Sequence, residues 1–243
     1  MSAAARAVES TPFTLEALGD RALLLTLGSR VDAALNARAL ALAQALRAAA
    51  LPGIEDIVPA YASVCVRYDP CAFAQSATVA PFDVLADRLL AALAQAAADT
   101  PLDTRAPLDI PVCYGGEFGP DLDAVAMHAR LSPDEVIARH VAGDYRVALL
   151  GFAPGFPYLL GLDDALHVPR RASPRTRVPA GSVAIGGAQT GIYPRELPGG
   201  WHLIGRTPLV LFDPARTPPA TCEPGRRVRF RAIDAAEFAA WTT

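Results

Sequence analysis

The sequence predicts an α+β protein of two domains, an N-terminal ferredoxin-like α/β sandwich followed by a C-terminal β-barrel. Three observations support this prediction. The first half alternates strand-like and helix-like apolar patterns, the second half contains short apolar segments bounded by glycine or proline, and residues 100–107 between them hold two prolines and few apolar side chains. We place the boundary near residue 106, which gives domains of residues 1–106 and 107–243, and we expect a flexible N-terminal tail.

The first domain is predicted from local patterns of length and spacing. Its apolar runs and its Ala/Leu-rich stretches differ in period, and Pro52-Gly53 ends the first of the helices. The predicted strands cover residues 22–27, 54–58, 63–68 and 108–112, and the predicted helices cover residues 31–49 and 81–98. The order β-α-β-β-α-β is that of a ferredoxin-like sandwich.

The second domain begins with a helix and continues as a β-rich chain. Ser132-Pro133-Asp134-Glu135 is a capping box with proline at the first helical position, so a helix is predicted to about residue 142. Short apolar runs bounded by Gly or Pro follow, as in a closed barrel. The predicted strands are residues 146–150, 183–185, 201–204, 209–212 and 228–233, and residues 234–241 are predicted to form a short final helix.

Composition and charge exclude several classes of protein. Hydrophobic residues make up 52% of the chain and charged residues 19%, which is typical of a globular protein rather than a disordered one. The net charge of −3 indicates no nucleic-acid partner. The four cysteines lack zinc-finger spacing, so we expect buried thiols and no protein-bound metal. Neither a signal peptide nor a membrane span is apparent, and we therefore expect a cytoplasmic protein with no membrane partner.

A run of motifs between residues 149 and 214 resembles a known family. The motifs are Gly151-Phe152, Pro154-Gly155-Phe156-Pro157-Tyr158-Leu159, Pro174-Arg175, Val178-Pro179-Ala180-Gly181-Ser182, Gln189-Thr190-Gly191, Pro198-Gly199-Gly200-Trp201 and Leu203-Ile204-Gly205-Arg206-Thr207. Together they are similar to the signature of the KipI/PxpB family, which comprises the B subunits of bacterial 5-oxoprolinase, also called allophanate hydrolase subunit 1 or kinase A inhibitor. The resemblance extends from about Phe13 to the end of the chain, and it implies that the barrel is cyclophilin-like.

The resemblance also implies a function. It suggests a subunit of an ATP-dependent 5-oxoprolinase that opens 5-oxo-L-proline to L-glutamate together with a KipA/PxpC-like and a PxpA-like partner. ATP, with Mg²⁺, would then be a co-substrate at a site shared with a partner, and the chain alone would be inactive. Three alternatives stay open: a urea- or allophanate-type amide or carboxyltransferase subunit, a regulatory inhibitor of a sensor histidine kinase, and a prolyl isomerase suggested only by the barrel.

Four side chains are candidates for catalysis. His202 lies two residues after a glycine pair and just before Arg206 and Thr207, so we expect an imidazole, a guanidinium and a hydroxyl near one another on a strand and its turn. Gln189 lies in a glycine-rich segment whose N–H groups suit an oxyanion. His140 ends the capped helix, where a cation is favourable, and the resemblance adds weight to it. The alternatives are a strand histidine bonded to a carbonyl, a glycine-rich hairpin and a helix-end group.

Further residues are candidates for binding, and two common sites are excluded. The predicted binding residues are Arg175, Arg177, Thr190, Tyr193 and Thr207, and the predicted partner surface is Phe152, Phe156 and Tyr158 on a rigid, exposed turn. Ordinary surface arginines and core aromatics are the alternative interpretation. The chain contains neither a G-x-S-x-G nucleophile elbow nor a P-loop, so a serine hydrolase and a P-loop nucleotide site are excluded.

Overall fold

The computed structural model describes residues 6–7, 13–74, 78–95, 103 and 105–241. The chain folds as two compact units, residues 1–104 and 105–243. Both combine helices with strands, and the second contains a closed barrel, so the predicted α+β class is confirmed. Most of the predicted tail, part of the predicted linker and residues 96–98 of the second predicted helix lie outside the described residues.

The first unit is a five-stranded antiparallel sheet with helices. Its elements are β1 (Arg6–Ala7), β2 (Thr14–Ala17), β3 (Ala22–Thr26), α1 (Ala33–Ala49), β4 (Ile54–Pro59), β5 (Ser63–Tyr68), α2 (Pro70–Phe73) and α3 (Pro81–Gln95). The strand order is β1-β2-β3-β5-β4. Helix α1 begins at Asp32, whose carboxylate accepts the Leu35 N–H at 2.9 Å. Its buried face packs with the alternate inward residues of β3 and β5 in one core.

One strand of the predicted ferredoxin-like order belongs to the second unit. The strand predicted at residues 108–112 exists, but it pairs with strands of the second unit and does not close the first sheet. The position beside β3 is held instead by β2, which precedes it in the chain. The β-α-β-β-α order was predicted, and the final strand was assigned to the wrong sheet because a strand's apolar pattern does not identify its partners.

The second unit contains the remaining elements. They are β6 (Leu108–Tyr114), α4 (Leu122–Ala129), α5 (Pro133–Ala142), β7 (Tyr145–Leu150), β8 (Pro157–Leu160), a 3₁₀ turn (Asp164–Leu166), β9 (Arg175–Val178), β10 (Ser182–Gly186), β11 (Gln189–Ile192), β12 (Leu197–Gly199), β13 (His202–Arg206), β14 (Arg227–Ile233) and α6 (Ala235–Ala239). The barrel runs β10-β11-β8-β7-β14-β6-β13 and closes where β13 pairs with β10. Only β14 and β6 are parallel neighbours in it.

Helix α5 is the best example of local sequence determining an element. The Ser132 hydroxyl accepts the Glu135 N–H at 3.3 Å, and the Glu135 carboxylate accepts the Ser132 N–H at 2.7 Å, so the predicted capping box is confirmed. Val136 and His140, one turn apart, are the buried residues of this helix. Tyr145, at the start of β7, donates its hydroxyl to the His140 carbonyl at 2.8 Å.

Other predictions for the second unit need correction. Residues 209–212 do not form a barrel strand, and Phe212 makes only an isolated bridge with Ala220. The Leu209 N–H is instead bonded to the Thr207 hydroxyl at 3.3 Å, and Pro208 between them has no N–H to donate. Helix α4 and the strands β8, β9, β11 and β12 were not predicted, because prolines, glycines or arginines interrupt most of their apolar patterns.

Two general features bear on the protein's surroundings. No helix among the described residues is long and apolar enough to cross a membrane. All four cysteines are free thiols. Cys113 and Cys222 are buried, and burial raises the pKa of the Cys222 thiol to about 12, so that thiol is a poor nucleophile.

Candidate functional site

Three segments of the second unit meet at one end of the β10–β11 hairpin. Val168 bridges to Gly187, whose N–H donates to the Val168 carbonyl at 2.7 Å. The Arg171 N–H donates to the Gly200 carbonyl at 2.8 Å, so the 168–171 segment also lies beside the start of β13. We call this site the Trp201 rim, and define it as Arg170, Gly187, Gln189, Trp201 and His202.

The Trp201 ring is held rigidly in an aromatic cluster. Phe156 and Tyr158 contact it edge to face, with ring centroids 5.9 and 5.7 Å away. Gly186 on β10 lies directly against the indole, since a Cβ atom there would be 2.6 Å from the ring. Trp201 is therefore almost completely buried, and it offers one fixed face to whatever lies above it.

Arg170 occupies that position. Its guanidinium carbon lies 5.8 Å from the centroid of the Trp201 ring, in a cation–π contact. The side chain is exposed and forms no hydrogen bond or ion pair with any residue that the structure describes. A charged guanidinium with unused donors on an aromatic surface is suited to bind an anion.

His202 is bonded to the main chain through one of its two ring nitrogens. Nε2 lies 3.0 Å from the Pro169 carbonyl oxygen, which can only accept, so Nε2 carries the proton. Nδ1 is buried without a hydrogen-bond partner among the described residues. The alternative interpretation of His202, a strand histidine bonded to a backbone carbonyl, describes its contacts correctly. Gln189 is half-exposed on the same hairpin.

Arg175 is not available to a ligand in the way its sequence position suggested. Its guanidinium binds the Asp121 carboxylate with two contacts of 2.7 and 2.9 Å, and Arg171 donates to the same carboxylate at 2.9 Å. The Leu203 N–H adds a fourth hydrogen bond at 2.8 Å. Burial would raise the pKa of Asp121, but these hydrogen bonds and the two arginine charges outweigh it and lower the pKa below its ordinary value.

The neighbouring Arg177 differs from Arg175. Its side chain is 82% exposed and lies 3.6 Å from Glu196, an arrangement too solvated to hold the arginine in place. Arg177 therefore remains a predicted binding residue, because its contact with Glu196 is too weak to keep its guanidinium from a ligand.

His140 is enclosed in the barrel and does not face a solvent-exposed site. Nδ1 lies 2.8 Å from the Tyr114 hydroxyl, and Nε2 lies 3.1 Å from the Thr190 hydroxyl. Because Thr190 donates its single proton to the Ala184 carbonyl at 3.0 Å, Nε2 must carry the proton and Tyr114 must donate to Nδ1. Burial lowers the pKa of His140 to about 3. The expectation of a cationic helix-end group is wrong, because the His140 side chain is buried in the core while Arg139 and Ala142 beside it are exposed.

Three predicted binding residues are also enclosed. Thr190, Tyr193 and Thr207 are all buried. Thr190 supports His140, Tyr193 packs edge to face on Phe156 at 5.1 Å, and the Thr207 hydroxyl accepts the Leu209 N–H. Their contacts are those of core residues.

Arg206 lies at the opposite end of β13 from His202. They are four positions apart along the strand, roughly 13 Å at the usual rise, and Arg206 packs on the Phe118 ring with its guanidinium carbon 5.6 Å from the centroid. The predicted proximity of His202 to Arg206 and Thr207 is therefore wrong, since an extended strand carries them apart. Arg206 is half-exposed and makes one long hydrogen bond, of 3.4 Å, to the Glu117 carbonyl.

The aromatic turn after β7 is only partly exposed. Phe156 is 2% exposed, so the prediction of an exposed anchor there is wrong, because its ring packs into the cluster with Tyr193 and Trp201. Phe152 is 60% exposed and has a φ of +66°, an uncommon conformation for a bulky residue. Its ring contacts Phe156 at 5.5 Å. Tyr158 is half-buried.

Sequence reasoning left three of the rim's residues, and one that supports it, out of the candidate list. They are Arg170, Gly187, Trp201 and Asp121. Arg170 and Trp201 belong to the motif-rich run, and the signal that pointed to them was its density of arginines and glycines. Asp121 lies on no recognised motif, and only the structure shows that it binds two of those arginines. Within the described ranges, no group of three or more metal-binding side chains is present.

Comparison with known proteins places these features in context. A family model described as the carboxyltransferase domain, subdomains C and D, matches residues 13–222. The B subunit of 5-oxoprolinase from Bacillus subtilis (strain 168) is 41% identical over 232 residues, which covers 94% of this chain and 96% of that protein.

Solved structures show the same fold. The crystal structure of TTHA0988 superposes with a TM-score of 0.77 and is 41% identical, over 88% of this chain and 41% of that one. The Kluyveromyces lactis urea carboxylase has a TM-score of 0.73 at 21% identity, over 97% of this chain and 23% of that one, and this likeness concerns the fold alone. The chain thus spans less than half the length of these two structures.

Proposed function

Because the chain belongs to the carboxyltransferase-domain family of subdomains C and D and aligns with a 5-oxoprolinase B subunit over nearly its whole length, we propose that it is the B subunit of an ATP-dependent 5-oxoprolinase. In this role it would take part in hydrolysing 5-oxo-L-proline to L-glutamate with a KipA/PxpC-like and a PxpA-like partner. The observation that carries the proposal is the 41% identity over 96% of the Bacillus subtilis protein.

The Trp201 rim has the polar groups that such a substrate needs. 5-Oxoproline combines a lactam, which both donates and accepts hydrogen bonds, with a carboxylate. Gln189 brings an amide and Arg170 a cation with unused donors, and His202, bonded to the Pro169 carbonyl, holds the backbone beside Arg170. Groups of this kind bind and orient an amide. They do not include an activated nucleophile.

The lactam carbon is a poor electrophile, and ATP with Mg²⁺ would supply the phosphoryl group that activates the lactam oxygen toward water. For the nucleotide's phosphates, this chain offers the half-exposed Arg206 and the exposed Arg177. Neither belongs to a P-loop, so we propose that the nucleotide site is completed by a partner subunit. The chain alone is then expected to be inactive.

Phe152 is the residue we propose for contact with a partner. It is a large aromatic side chain that remains 60% exposed while the rest of its cluster is buried. We also propose a cytoplasmic location, because all four cysteines are free thiols, as expected in a reducing compartment. The urea-type and kinase-inhibitor alternatives lack a comparable observation in the structure.

The test is ATP-dependent release of glutamate from 5-oxoproline, measured for the chain alone, for its partners without it and for the complete mixture. We expect activity only in the complete mixture. An assembled mixture that releases no glutamate would refute the proposal, and urea added as the substrate in its place would then test the amide alternative.

A further inference from the structure

We propose that Arg170 on Trp201 is a binding site for the carboxylate of a small organic acid. With respect to 5-oxoproline this rests on the function proposed above, and it assigns the recognition of the substrate's acid group to a residue outside the motifs that indicated the family. The site stands on four features of the second unit, which are the balance of charge, the position of the backbone, the rigidity of the ring and the unused donors of the guanidinium.

The first feature is an excess of positive charge. Arg170, Arg171 and Arg175 lie close together in the chain, and the one carboxylate that binds any of them is that of Asp121, among the residues that the structure describes. Asp121 is occupied by Arg171 and Arg175 together, so Arg170 is left without a counterion. A cation in that position attracts an anion from solution.

The second feature is that the backbone on both sides of Arg170 is held to β13. The Pro169 carbonyl accepts from His202 Nε2 at 3.0 Å, and the Arg171 N–H donates to the Gly200 carbonyl at 2.8 Å. The main chain of Arg170 is therefore fixed on the barrel before any ligand arrives. Fixing it in advance reduces the entropy lost on binding.

The third feature is the ring beneath the guanidinium. Trp201 is 5% exposed and is held by Phe156, Tyr158 and the close approach of Gly186. Because the indole covers one side of the cation, it reduces hydration there and strengthens the interaction with a charge on the open side. The indole has no acceptor and leaves the N–H donors of Arg170 unused.

The fourth feature, the unused donors of the guanidinium, favours a carboxylate as the occupant. A guanidinium on a flat ring presents pairs of N–H donors at its edge, and a carboxylate matches such a pair with two parallel hydrogen bonds. The Tyr158 and Tyr193 phenols lie near enough for the Arg170 charge to oppose the rise that burial causes in their pKa values. The half-buried Tyr158 is the aromatic side chain beside which the acid's remaining ring or chain would lie.

The experiment uses tryptophan fluorescence of the full chain in a Trp241→Phe background, in which Trp201 is the one tryptophan. 5-Oxoproline, 2-pyrrolidinone and inorganic phosphate are titrated separately at low ionic strength. 2-Pyrrolidinone is the same lactam without the carboxylate. We expect saturable quenching with 5-oxoproline, none with 2-pyrrolidinone, and a weaker response with phosphate.

The variant test compares Arg170→Gln with Arg195→Gln. Arg195 is an exposed arginine of the same unit with no partner among the described residues, so it is the matched control. Loss of a charge-assisted pair predicts binding about tenfold to a hundredfold weaker in Arg170→Gln and unchanged binding in Arg195→Gln. Calorimetric titration of both variants gives a second readout that does not depend on the Trp201 environment.

Several results would overturn the proposal. They are equal binding of 5-oxoproline by Arg170→Gln and the parent, equal weakening in Arg195→Gln, a response to 2-pyrrolidinone as strong as that to 5-oxoproline, a response to phosphate stronger than that to 5-oxoproline, and no saturable response to 5-oxoproline. Carboxylate-dependent binding at Arg170, combined with no glutamate release from the assembled mixture, would refute only the proposed reaction and leave the site in place.

Discussion

His140 is a buried base whose protonation is coupled to folding. Burial lowers its pKa from an ordinary value of 6.5 to about 3, so in this range the unfolded chain binds a proton that the folded chain excludes. The stability that this contributes is fully present above pH 6.5 and falls as the pH drops toward 3. We expect a slope of up to about 1.4 kcal/mol per pH unit in the free energy of unfolding.

The measurement is urea denaturation between roughly pH 4.5 and 6.5, a range above the ordinary pKa values of carboxylates. His140→Gln should lose this slope, whatever its overall stability, while His128→Gln, at an exposed position on α4, should keep it. An unchanged slope in His140→Gln would show that the imidazole is open to solvent.

Asp121 neutralises two arginines beneath the Trp201 rim, and its side chain is only 6% exposed. Asp121→Asn leaves the Arg171 and Arg175 charges without a counterion, which should lower the free energy of unfolding by about 2–4 kcal/mol, since partial exposure of the arginines screens the full effect. Because the pKa of Asp121 is below its ordinary 3.8, the wild-type contribution is present above that pH and is lost on further acidification.

Chemical denaturation at pH 7 measures the effect, with Asp123→Asn as the control. Asp123 is an exposed acid in the first turn of α4, and its substitution should change stability by no more than about 0.5 kcal/mol. Equal effects of the two substitutions would contradict the role given to Asp121.

The β10–β11 hairpin positions the rim through two adjacent glycines that differ in the space around them. A Cβ atom on Gly186 would be 2.6 Å from the indole of Trp201, whereas Gly187 has open space around it and a φ of +65°. Gly186→Ala should therefore displace Trp201 and abolish the fluorescence response to 5-oxoproline. Gly187→Ala should keep the response and lose about 1 kcal/mol of stability through backbone strain.

The emission maximum of Trp201 in the Trp241→Phe background reports the displacement directly. A red shift is expected for Gly186→Ala, because the ring becomes more exposed, and none for Gly187→Ala. The reverse pattern would mean that the turn conformation, and not the close packing, positions the ring.

The two units each have a hydrophobic core made of their own residues. One core is formed within residues 13–93, and the others lie within residues 108–230. We expect a fragment of residues 105–243 to fold alone, with a cooperative urea transition and the near-ultraviolet signal of a packed aromatic cluster. A broad transition without that signal would show that the barrel requires the first unit.

Local patterns predicted the elements whose stabilising contacts lie close in sequence. The capping box of α5 contains both of its partners within four residues, and α1, β4 and β5 have clear periods and clear ends. The strand at residues 108–112 was also predicted, but the assignment of its partners failed because β14, with which it pairs, lies more than 110 residues further along the chain. Residues 209–212 are apolar enough for a strand, yet their backbone bonds are made locally.

The candidate site was likewise predicted only in part, since local sequence located it and contacts between distant residues decided its charges. The density of arginine, glycine and aromatic residues between 149 and 214 located the functional region, and the motifs there identified the family. Which arginine is free depends on Asp121, which lies 49 residues before Arg170 in the sequence. Whether a histidine is a cation or a neutral core residue depends likewise on burial, as His140 shows.

By itself, therefore, the amino-acid sequence determined the fold class, most of the helices, the location of the functional region and the family, because these depend on composition, periodicity and short motifs. Only the tertiary structure decided that Arg175 is bound internally, that His140 is enclosed, that His202 and Arg206 are at opposite ends of one strand, and that Arg170 rests unpaired on Trp201. Charge state and access depend on neighbours that are distant in the chain, and closing the barrel is what brings those neighbours together.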